Sequence, residues 1–280
     1  MIGYRSRTVN ANGKRPIVFN PNEGYSDMRV ELPCGQCIGC RLERARTWAI
    51  RCMHEASQHE ENCFITLTFA EVNELTSLVK SDFQKFMKRL RKKYNHKKIL
   101  YFHCGEYGET YGRPHHHACL FGIDFPDKEL FKIKKGVRLY TSKTLSALWP
   151  YGFSTIGDVT FESACYVAGY ITKKITGKNA DDYYGDRVHP YVTMSRRPGI
   201  GRTWLKKYVR DVYPHDEIII RKNKKCHPPK YYDNIFEVES PGEFETVKKA
   251  RVKKIKTRST AQLRAGEVIA NQKQKIRETT

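Results

Sequence analysis

The sequence has no apolar run approaching the ~18 residues that a membrane-spanning helix requires. Its start, MIGYRSRTVNANGKRP, lacks the apolar core of a secretory signal. We therefore expect a protein that remains in the cytoplasm and contacts no membrane. The Walker A pattern GxxxxGK[ST] is also absent, so we expect no ATP-driven activity based on a P-loop.

Acidic residues are scarce relative to basic ones. The chain has 51 Lys and Arg against 30 Asp and Glu, which gives a formal charge of +21 over 280 residues. Aromatic residues make up 12% of the chain. Cations neutralise phosphates and aromatic rings stack on bases, so this composition favours nucleic acid as the partner.

Cysteine is abundant, but the nine residues are an odd number in a chain without a secretory signal. A disulfide framework is therefore not expected, and metal binding or reduced thiols remain as alternatives. Cys34, Cys37 and Cys40 have the spacing of a metal knuckle, and we predict a structural Zn²⁺ there. The candidates for the fourth ligand are Cys52, His54 and Cys63. A bacterial iron–sulfur run would instead need a cysteine at position 44, which is Arg44.

Hydrophobic periodicity predicts an α+β fold. The helical segments are 42–56, 83–90 and 161–174, and the strand segments are 63–69, 99–104, 115–122, 151–159 and 216–221. A capping box is predicted at Ser81 and Gln84, at the start of the second helix. The strands should form a central, largely antiparallel sheet with flanking helices, preceded by an N-terminal Cys-rich segment. We divide the chain into segments 1–60, 61–180, 181–239 and a basic tail, 240–280.

The segment Pro114-His115-His116-His117 opens one predicted strand. Side chains at i and i+2 share a face of a strand, so His115 and His117 should point together and His116 away. If the preceding strand pairs with this one, Glu106 supplies a carboxylate beside the two imidazoles. Two histidines and one carboxylate leave coordination positions open for a substrate phosphate. Glu109 is the rival third ligand, and a His-rich surface strand without metal is the simpler alternative.

The helix CYVAGYITKK carries Tyr166 and Tyr170 at i and i+4, so both rings lie on one side of it. Lys173 lies one turn beyond Tyr170. Tyrosine can act as a covalent nucleophile, although its pKa of ~10 makes it weak without a nearby cation or base. The alternative is that both tyrosines simply pack with their hydroxyls outward.

The order FITLTF, then His-x-His, then a tyrosine helix with lysine resembles the HUH single-strand endonucleases that initiate rolling-circle replication. PCGQCIGC, CGEYG and MSRRPGIG narrow the resemblance to the replication initiators of the Microviridae, in the gokushovirus branch. It covers roughly residues 30–235 and implies an HUH/RRM-like core.

The resemblance implies a role for each matching residue. His115, His117 and Glu106 would bind Mg²⁺ or Mn²⁺, and Tyr166, Tyr170 and Lys173 would be catalytic. The middle residue of the histidine triplet is usually hydrophobic in that family, and here it is His116. We also expect DNA contacts from Arg113, Lys174, Arg196 and Arg197.

The implied reaction is nicking of single-stranded DNA at an origin through a phosphotyrosine, followed by strand rejoining. The implied partners are the single-stranded origin, a host helicase and a polymerase, in the cytoplasm of a bacterial host. Another HUH nuclease, such as a plasmid initiator or transposase, is one alternative. A relaxase fits less well, because relaxases usually place the tyrosine before the histidine motif. A non-catalytic zinc-dependent nucleic-acid-binding protein is the alternative from a different class.

Overall fold

The computed structural model describes residues 2–10, 15–70, 77–108, 112–134, 136–173, 179–213, 215–221, 224–254 and 259–279. The chain divides into two compact units. One comprises Met1–Leu42 and Arg264–Thr280, and the other comprises Glu43–Leu263. None of the helices in the described ranges combines the length and apolar character that a membrane span needs.

The strands of the described residues are β1 (Ile2–Ser6), β2 (Ile17–Val18), β3 (Gly24–Glu31), β4 (Asn62–Thr68), β5 (Leu100–Tyr107), β6 (Pro114–Phe121), β7 (Lys128–Lys134), β8 (Val137–Ser142), β9 (Ser154–Gly157), β10 (Tyr191–Met194), β11 (Ile218–Arg221) and β12 (Lys224–Cys226). The α-helices are α1 (Ile38–Ala56), α2 (Lys80–Lys93), α3 (Lys143–Leu148), α4 (Phe161–Lys173), α5 (Asn179–Tyr184), α6 (Arg202–Val212), α7 (Lys230–Glu239), α8 (Pro241–Lys254) and α9 (Thr260–Thr279).

The larger unit is built on a seven-stranded sheet with the order β10-β5-β6-β4-β9-β8-β7. Every pairing recorded within it is antiparallel. The α+β class and the largely antiparallel sheet predicted from the sequence are therefore confirmed. The central strands β5 and β6 are buried along most of their length, because helices cover both faces there.

Strand alternation divides the core into two layers. On one face, β4 and β6 residues such as Ile65, Leu67 and Leu120 pack against Phe83 and Phe86 of α2. We call this the α2 face.

The opposite face is covered by α1 and α4. There, β5 and β6 residues such as Phe102, Cys104 and Cys119 pack against Ala49 of α1 and Val167 of α4. We call this the α4 face. A third core cluster joins α1 to α6, α7 and α8 through residues such as Ile50, Leu205 and Phe236.

Two local details differ from the sequence analysis. The capping box at Ser81 and Gln84 is wrong: Val79 occupies the N-cap and makes no side-chain cap hydrogen bond. Because α2 already begins at Lys80, Ser81 lies inside the first turn and cannot cap it. The N-terminal 33 residues, which show no periodicity, contain the sheet β2-β1-β3. Most of β3 is exposed, so no buried face imposes an alternating pattern on its sequence.

Candidate metal and nucleophile site on the α4 face

The two outer histidines of the triplet lie on the α4 face, and the middle one lies on the α2 face. In the β5–β6 pairing, Glu106 is opposite His115 and Cys104 is opposite His117. Residues that pair directly across antiparallel strands share a face, so Glu106 projects on the same side as both histidines. The geometry thus brings together the three residues that the sequence predicted as metal ligands.

His117 is held from two sides. The Oγ1 of Thr66, on the neighbouring strand β4, lies 3.0 Å from its Nδ1. Its Nε2 lies 3.1 Å from Oε1 of Glu106, and both side chains are only 6% exposed. Burial lowers the pKa of His117, and the hydrogen bond from Glu106 offsets part of that effect. A lowered pKa favours the neutral imidazole, which is the form that binds metal.

His115 is oriented by the chain just before it. Its Nδ1–H donates to the backbone carbonyl of Arg113 at 2.7 Å, so in the neutral ring Nε2 carries the lone pair. Metal-binding histidines commonly donate one ring nitrogen to a carbonyl and bind the ion with the other. The ring stacks parallel to His117 with a centroid separation of 6.1 Å.

These three side chains fit a divalent ion in chemistry, but they are not drawn tightly together. Their ligand atoms do not all lie within 4.8 Å of one another. Binding would therefore require the His115 ring and the His117–Glu106 pair to approach a common point. The donor set of two imidazoles and one carboxylate suits a divalent cation that keeps open positions.

Helix α4 brings a tyrosine to this cluster. The ring of Tyr166 stands perpendicular to that of His117, with a centroid separation of 5.1 Å. Tyr166 is 44% exposed, so a substrate strand can reach it. Small buried residues on α4, Ala164 and Ala168, allow the helix to approach the sheet closely and carry Tyr166 over the histidines.

Other predicted residues fall partly or wholly outside the described structure. The backbones of Tyr170 and Lys173 belong to α4, one and about two turns beyond Tyr166, but their side chains are not described. Lys174 and the rival ligand Glu109 lie outside the described residues.

The predicted DNA-contacting arginines are separated along the sheet. Arg113 immediately precedes β6, next to His115. Arg196 and Arg197 are exposed in the turn after β10, where the N–H of Ser195 donates to the carbonyl of Tyr101. Tyr101 lies five residues before Glu106 on β5, or roughly 16 Å at ~3.3 Å per residue. The structure therefore does not bring these two arginines next to the histidines.

His116 lies on the opposite face, in the α2 core, as the alternation predicts. Its Nδ1 lies 3.0 Å from Nε2 of His103, whose Nδ1 in turn lies 2.8 Å from Oγ1 of Thr193. Burial lowers the pKa of His116 to about 3, so the ring is neutral near pH 7. A polar residue thus occupies the usually hydrophobic middle position because a second buried histidine and a threonine share its hydrogen bonding.

The three knuckle cysteines form a separate cluster in the smaller unit. The Sγ atoms of Cys34 and Cys40 are 3.9 Å apart, and all three sulfurs lie within 4.8 Å of one another. The N–H of Cys37 donates to the Sγ of Cys34 at 3.2 Å. Together with the N–H of Gln36, it lowers the pKa of Cys34 to about 7, which favours the thiolate.

The sulfur spacing suits one metal ion such as zinc. Tetrahedral Zn²⁺ with Zn–S bonds of ~2.3 Å places its sulfurs about 3.8 Å apart. In an iron–sulfur cluster each thiolate binds a different iron, which holds the sulfurs further apart.

None of the three predicted fourth ligands belongs to this cluster. His54 stacks on Trp204, whereas Cys52 and Cys63 are buried in the sheet cores. Each of these side chains is therefore engaged within the larger unit.

Sequence reasoning missed Thr66 as a site residue. It lies on β4, directly opposite His117, and belongs to the FITLTF motif that contributed to the resemblance. The alternation of that motif places Thr66 and Thr68 on one face, but the pairing partner of β4 was needed to identify the histidine. Only the register between strands about 50 residues apart in sequence reveals the contact.

Fold and site together define an α+β protein that carries a candidate metal centre and a tyrosine on one face of an antiparallel sheet. The family model of the replication-associated protein ORF2 matches residues 62–175, which include both histidines and both tyrosines. No solved structure matches the chain.

Curated relatives extend the similarity over most of the chain. The chain is 31% identical to the Replication-associated protein VP4 of Bdellovibrio phage phiMH2K over 240 residues, covering 82% of the chain and 75% of the relative. It is 36% identical to the Replication-associated protein ORF2 of Spiroplasma virus 4 over 241 residues, covering 81% and 73%. The Replication-associated protein ORF4 of Chlamydia phage 1 is 28% identical over 240 residues, covering 80% of the chain and 59% of the relative. The chain therefore belongs to the family of Microviridae replication-associated proteins, as the resemblance indicated.

Proposed function

We propose that this chain is the endonuclease that initiates rolling-circle replication of a phage genome. It nicks single-stranded DNA at an origin through a phosphotyrosine and later rejoins the strand. Family membership supports a role in phage replication. The observation that carries the finer proposal is the packing of Tyr166 against His117, which is itself held between Thr66 and Glu106.

The histidine pair and Glu106 are the proposed ligands for Mg²⁺ or Mn²⁺. When bound, the cation withdraws charge from the oxygens of the scissile phosphate. The protein contributes the orientation of these ligands: Thr66 fixes the ring of His117, and the carbonyl of Arg113 fixes the ring of His115.

In the proposed cleavage, the phenolic oxygen of Tyr166 or Tyr170 attacks phosphorus. The new bond is a 5′-phosphotyrosine, and the bond that breaks joins phosphorus to the 3′ oxygen. The phenol gives up its proton to solvent, and the leaving oxygen takes one up to become a 3′-hydroxyl primer. Lys173 supplies positive charge for the phosphate oxygens as negative charge builds on them.

Rejoining is the reverse reaction, in which a 3′-hydroxyl attacks the phosphotyrosine and frees the phenol. Two tyrosines allow one to hold the old 5′ end while the other cuts the new junction. Tyr166 and Tyr170 are one helical turn apart, so both can serve one phosphate site.

Substrate and partners follow from this chemistry. The proposed substrate is a single-stranded origin, with Arg113, Lys174, Arg196 and Arg197 as backbone contacts. The chain has no Walker A pattern, so we propose that a host helicase unwinds the duplex and a host polymerase extends the primer, in the bacterial cytoplasm.

Covalent capture tests the proposal. The protein is incubated with Mn²⁺ or Mg²⁺ and labelled single-stranded oligonucleotides that tile the genome encoding the chain, and the products are run on a denaturing gel. We expect one oligonucleotide to yield a protein–DNA adduct that maps to Tyr166 or Tyr170. The variants Tyr166→Phe and Tyr170→Phe should each lose capture, because a phenyl ring has no nucleophilic oxygen.

Tyr183→Phe is the matched control, since Tyr183 is 59% exposed and lies outside α4. This variant should form the adduct normally. An adduct formed by the Tyr166→Phe, Tyr170→Phe double variant would contradict the proposal. A salt-sensitive mobility shift with no adduct would favour the alternative of a non-catalytic zinc-dependent binding protein, for which the cysteine cluster is the supporting observation.

A further inference from the structure

The candidate site lies at one end of a row of side chains that crosses the sheet. Glu106 on β5 is opposite His115 on β6, and His115 is opposite Thr68 on β4. The N–H of Thr68 donates to the carbonyl of Phe153 at 2.8 Å, which continues the β4–β9 register by one pair. Phe153 therefore lies on the same face as the histidines. Two strand spacings of ~4.8 Å place it about 10 Å from His115.

Two aromatic rings are exposed at this end of the row. Phe153 is 50% exposed and Phe131, on β7, is 48% exposed. Their centroids are 5.2 Å apart and their planes meet at 58°. The β7–β8 register shifts between Leu130 and Lys132, so Phe131 occupies an irregularity of β7.

The segment around these rings is strongly basic. From residue 128 to residue 143 the sequence has six Lys or Arg and one acidic residue, Glu129. The Nζ of Lys132 lies 5.2 Å from the centroid of the Phe131 ring, so a cation and a stacking surface are presented together. A second copy of this chain, with its charge of +21, would be repelled by this surface, whereas a polyanion would be attracted.

We propose that Phe131 and Phe153 are a base-stacking platform for the single strand that enters the site, and that Lys132 contacts its backbone. Exposed rings beside cations are the standard means of binding unpaired bases with little sequence preference. The separation from His115 suits bases a nucleotide or two from the scissile phosphate. The inference deepens the proposed function, since it concerns how the same site holds its substrate.

A binding comparison between two strands tests the stacking directly. The first probe is fluorescein-labelled oligothymidylate, and the second is an abasic strand of the same length with the same phosphates. Both are titrated with protein in EDTA and followed by fluorescence anisotropy. Phe131→Ala and Phe153→Ala should each weaken binding of oligothymidylate about 5- to 100-fold and barely affect the abasic strand. Phe153→Tyr should restore binding, because it retains a stacking ring.

Ile133→Ala is the matched control, since Ile133 is an apolar residue of the same strand, 60% exposed, without an aromatic ring. It should leave both affinities unchanged, whereas Lys132→Ala should weaken both strands equally. Unchanged oligothymidylate affinity in both phenylalanine variants would overturn the proposal, as would equal losses for both strands. Because the assay requires no cleavage, it can succeed even if no adduct forms, and it can fail while the nuclease proposal stands.

Discussion

Three consecutive histidines have three different environments because strand alternation and neighbouring registers separate them. His115 donates to a backbone carbonyl, His117 lies between a hydroxyl and a carboxylate, and His116 is buried on the other face. The hydroxyl beside His117 is informative, since it can either donate or accept a hydrogen bond. Without an ion, Nε2–H of His117 donates to Glu106 and Thr66 donates to Nδ1. With an ion on Nε2, the proton belongs on Nδ1 and Thr66 accepts from it.

This argument predicts that Thr66 is a positioning residue for the metal site. Thr66→Val preserves the β-branched shape but removes the hydroxyl, leaving the Nδ1 of His117 without its partner. We expect Mn²⁺ affinity to fall about 10- to 100-fold, as for other partners of metal-binding histidines. Titration of Mn²⁺ followed by electron paramagnetic resonance measures this change without any DNA.

The matched control is Thr155→Val. Thr155 is opposite Thr66 on the other side, in β9, and shares its face. The control should bind Mn²⁺ like the wild type and should unfold at a similar temperature. Equal affinities for all three proteins would rule out a role for Thr66 at the metal site.

At the scale of elements, the strands that carry the site could be predicted, because one buried face imposes strict alternation on them. The segment 63–69 is an example: it becomes β4, with Cys63, Ile65 and Leu67 buried. The exposed strand β3 has no such constraint and gave no signal. The start of α2 was misplaced because Ser81 suits a cap by composition, whereas the backbone turns helical one residue earlier.

The site itself was predictable only within elements. The i, i+2 spacing of the histidines and the i, i+4 spacing of the tyrosines follow from strand and helix geometry. Thr66 and Phe153 join the site through the pairing of distant strands, and the register of such pairs is not encoded locally. Phe131 depends in addition on an irregularity in β7.

The N-terminal cysteine segment predicts a zinc stoichiometry. Cys34, Cys37 and Cys40 place their sulfurs close enough for one tetrahedral ion, and the lowered pKa of Cys34 favours the thiolate near neutral pH. We expect reduced protein to contain one zinc per chain by inductively coupled plasma mass spectrometry. Cys34→Ser should reduce the zinc content, because it removes the thiolate that the backbone stabilises.

Cys165→Ser is the control, since Cys165 lies on α4 and outside this cluster. Its zinc content should equal that of the wild type. Reduced wild-type protein without zinc, or a Cys34→Ser variant that retains it fully, would contradict the prediction.

At the scale of the whole molecule, packing ties distant parts of the larger unit together. His54 of α1 stacks on Trp204 of α6 with centroids 3.5 Å apart. Its Nδ1 also lies 3.0 Å from the hydroxyl of Tyr232, 178 residues away in the sequence. Both neighbours belong to the cluster that joins α1 to α6 and α7, so protonation of His54 affects the folding of the unit.

The last prediction concerns how stability depends on pH. Burial lowers the pKa of His54 to about 3, whereas an unfolded histidine titrates near 6.5. Between these values the unfolded chain binds more protons than the native one, so stability must fall as the pH falls. From about pH 7 to about pH 5, His54 should account for a loss of about 2 kcal/mol in the free energy of unfolding. Urea titrations of His54→Phe, which keeps a ring against Trp204, should show a correspondingly shallower pH dependence, whatever its stability at pH 7. A variant of the exposed His96 should keep the wild-type slope, and the same slope in His54→Phe would show that His54 is protonated in the folded protein as readily as in the unfolded chain.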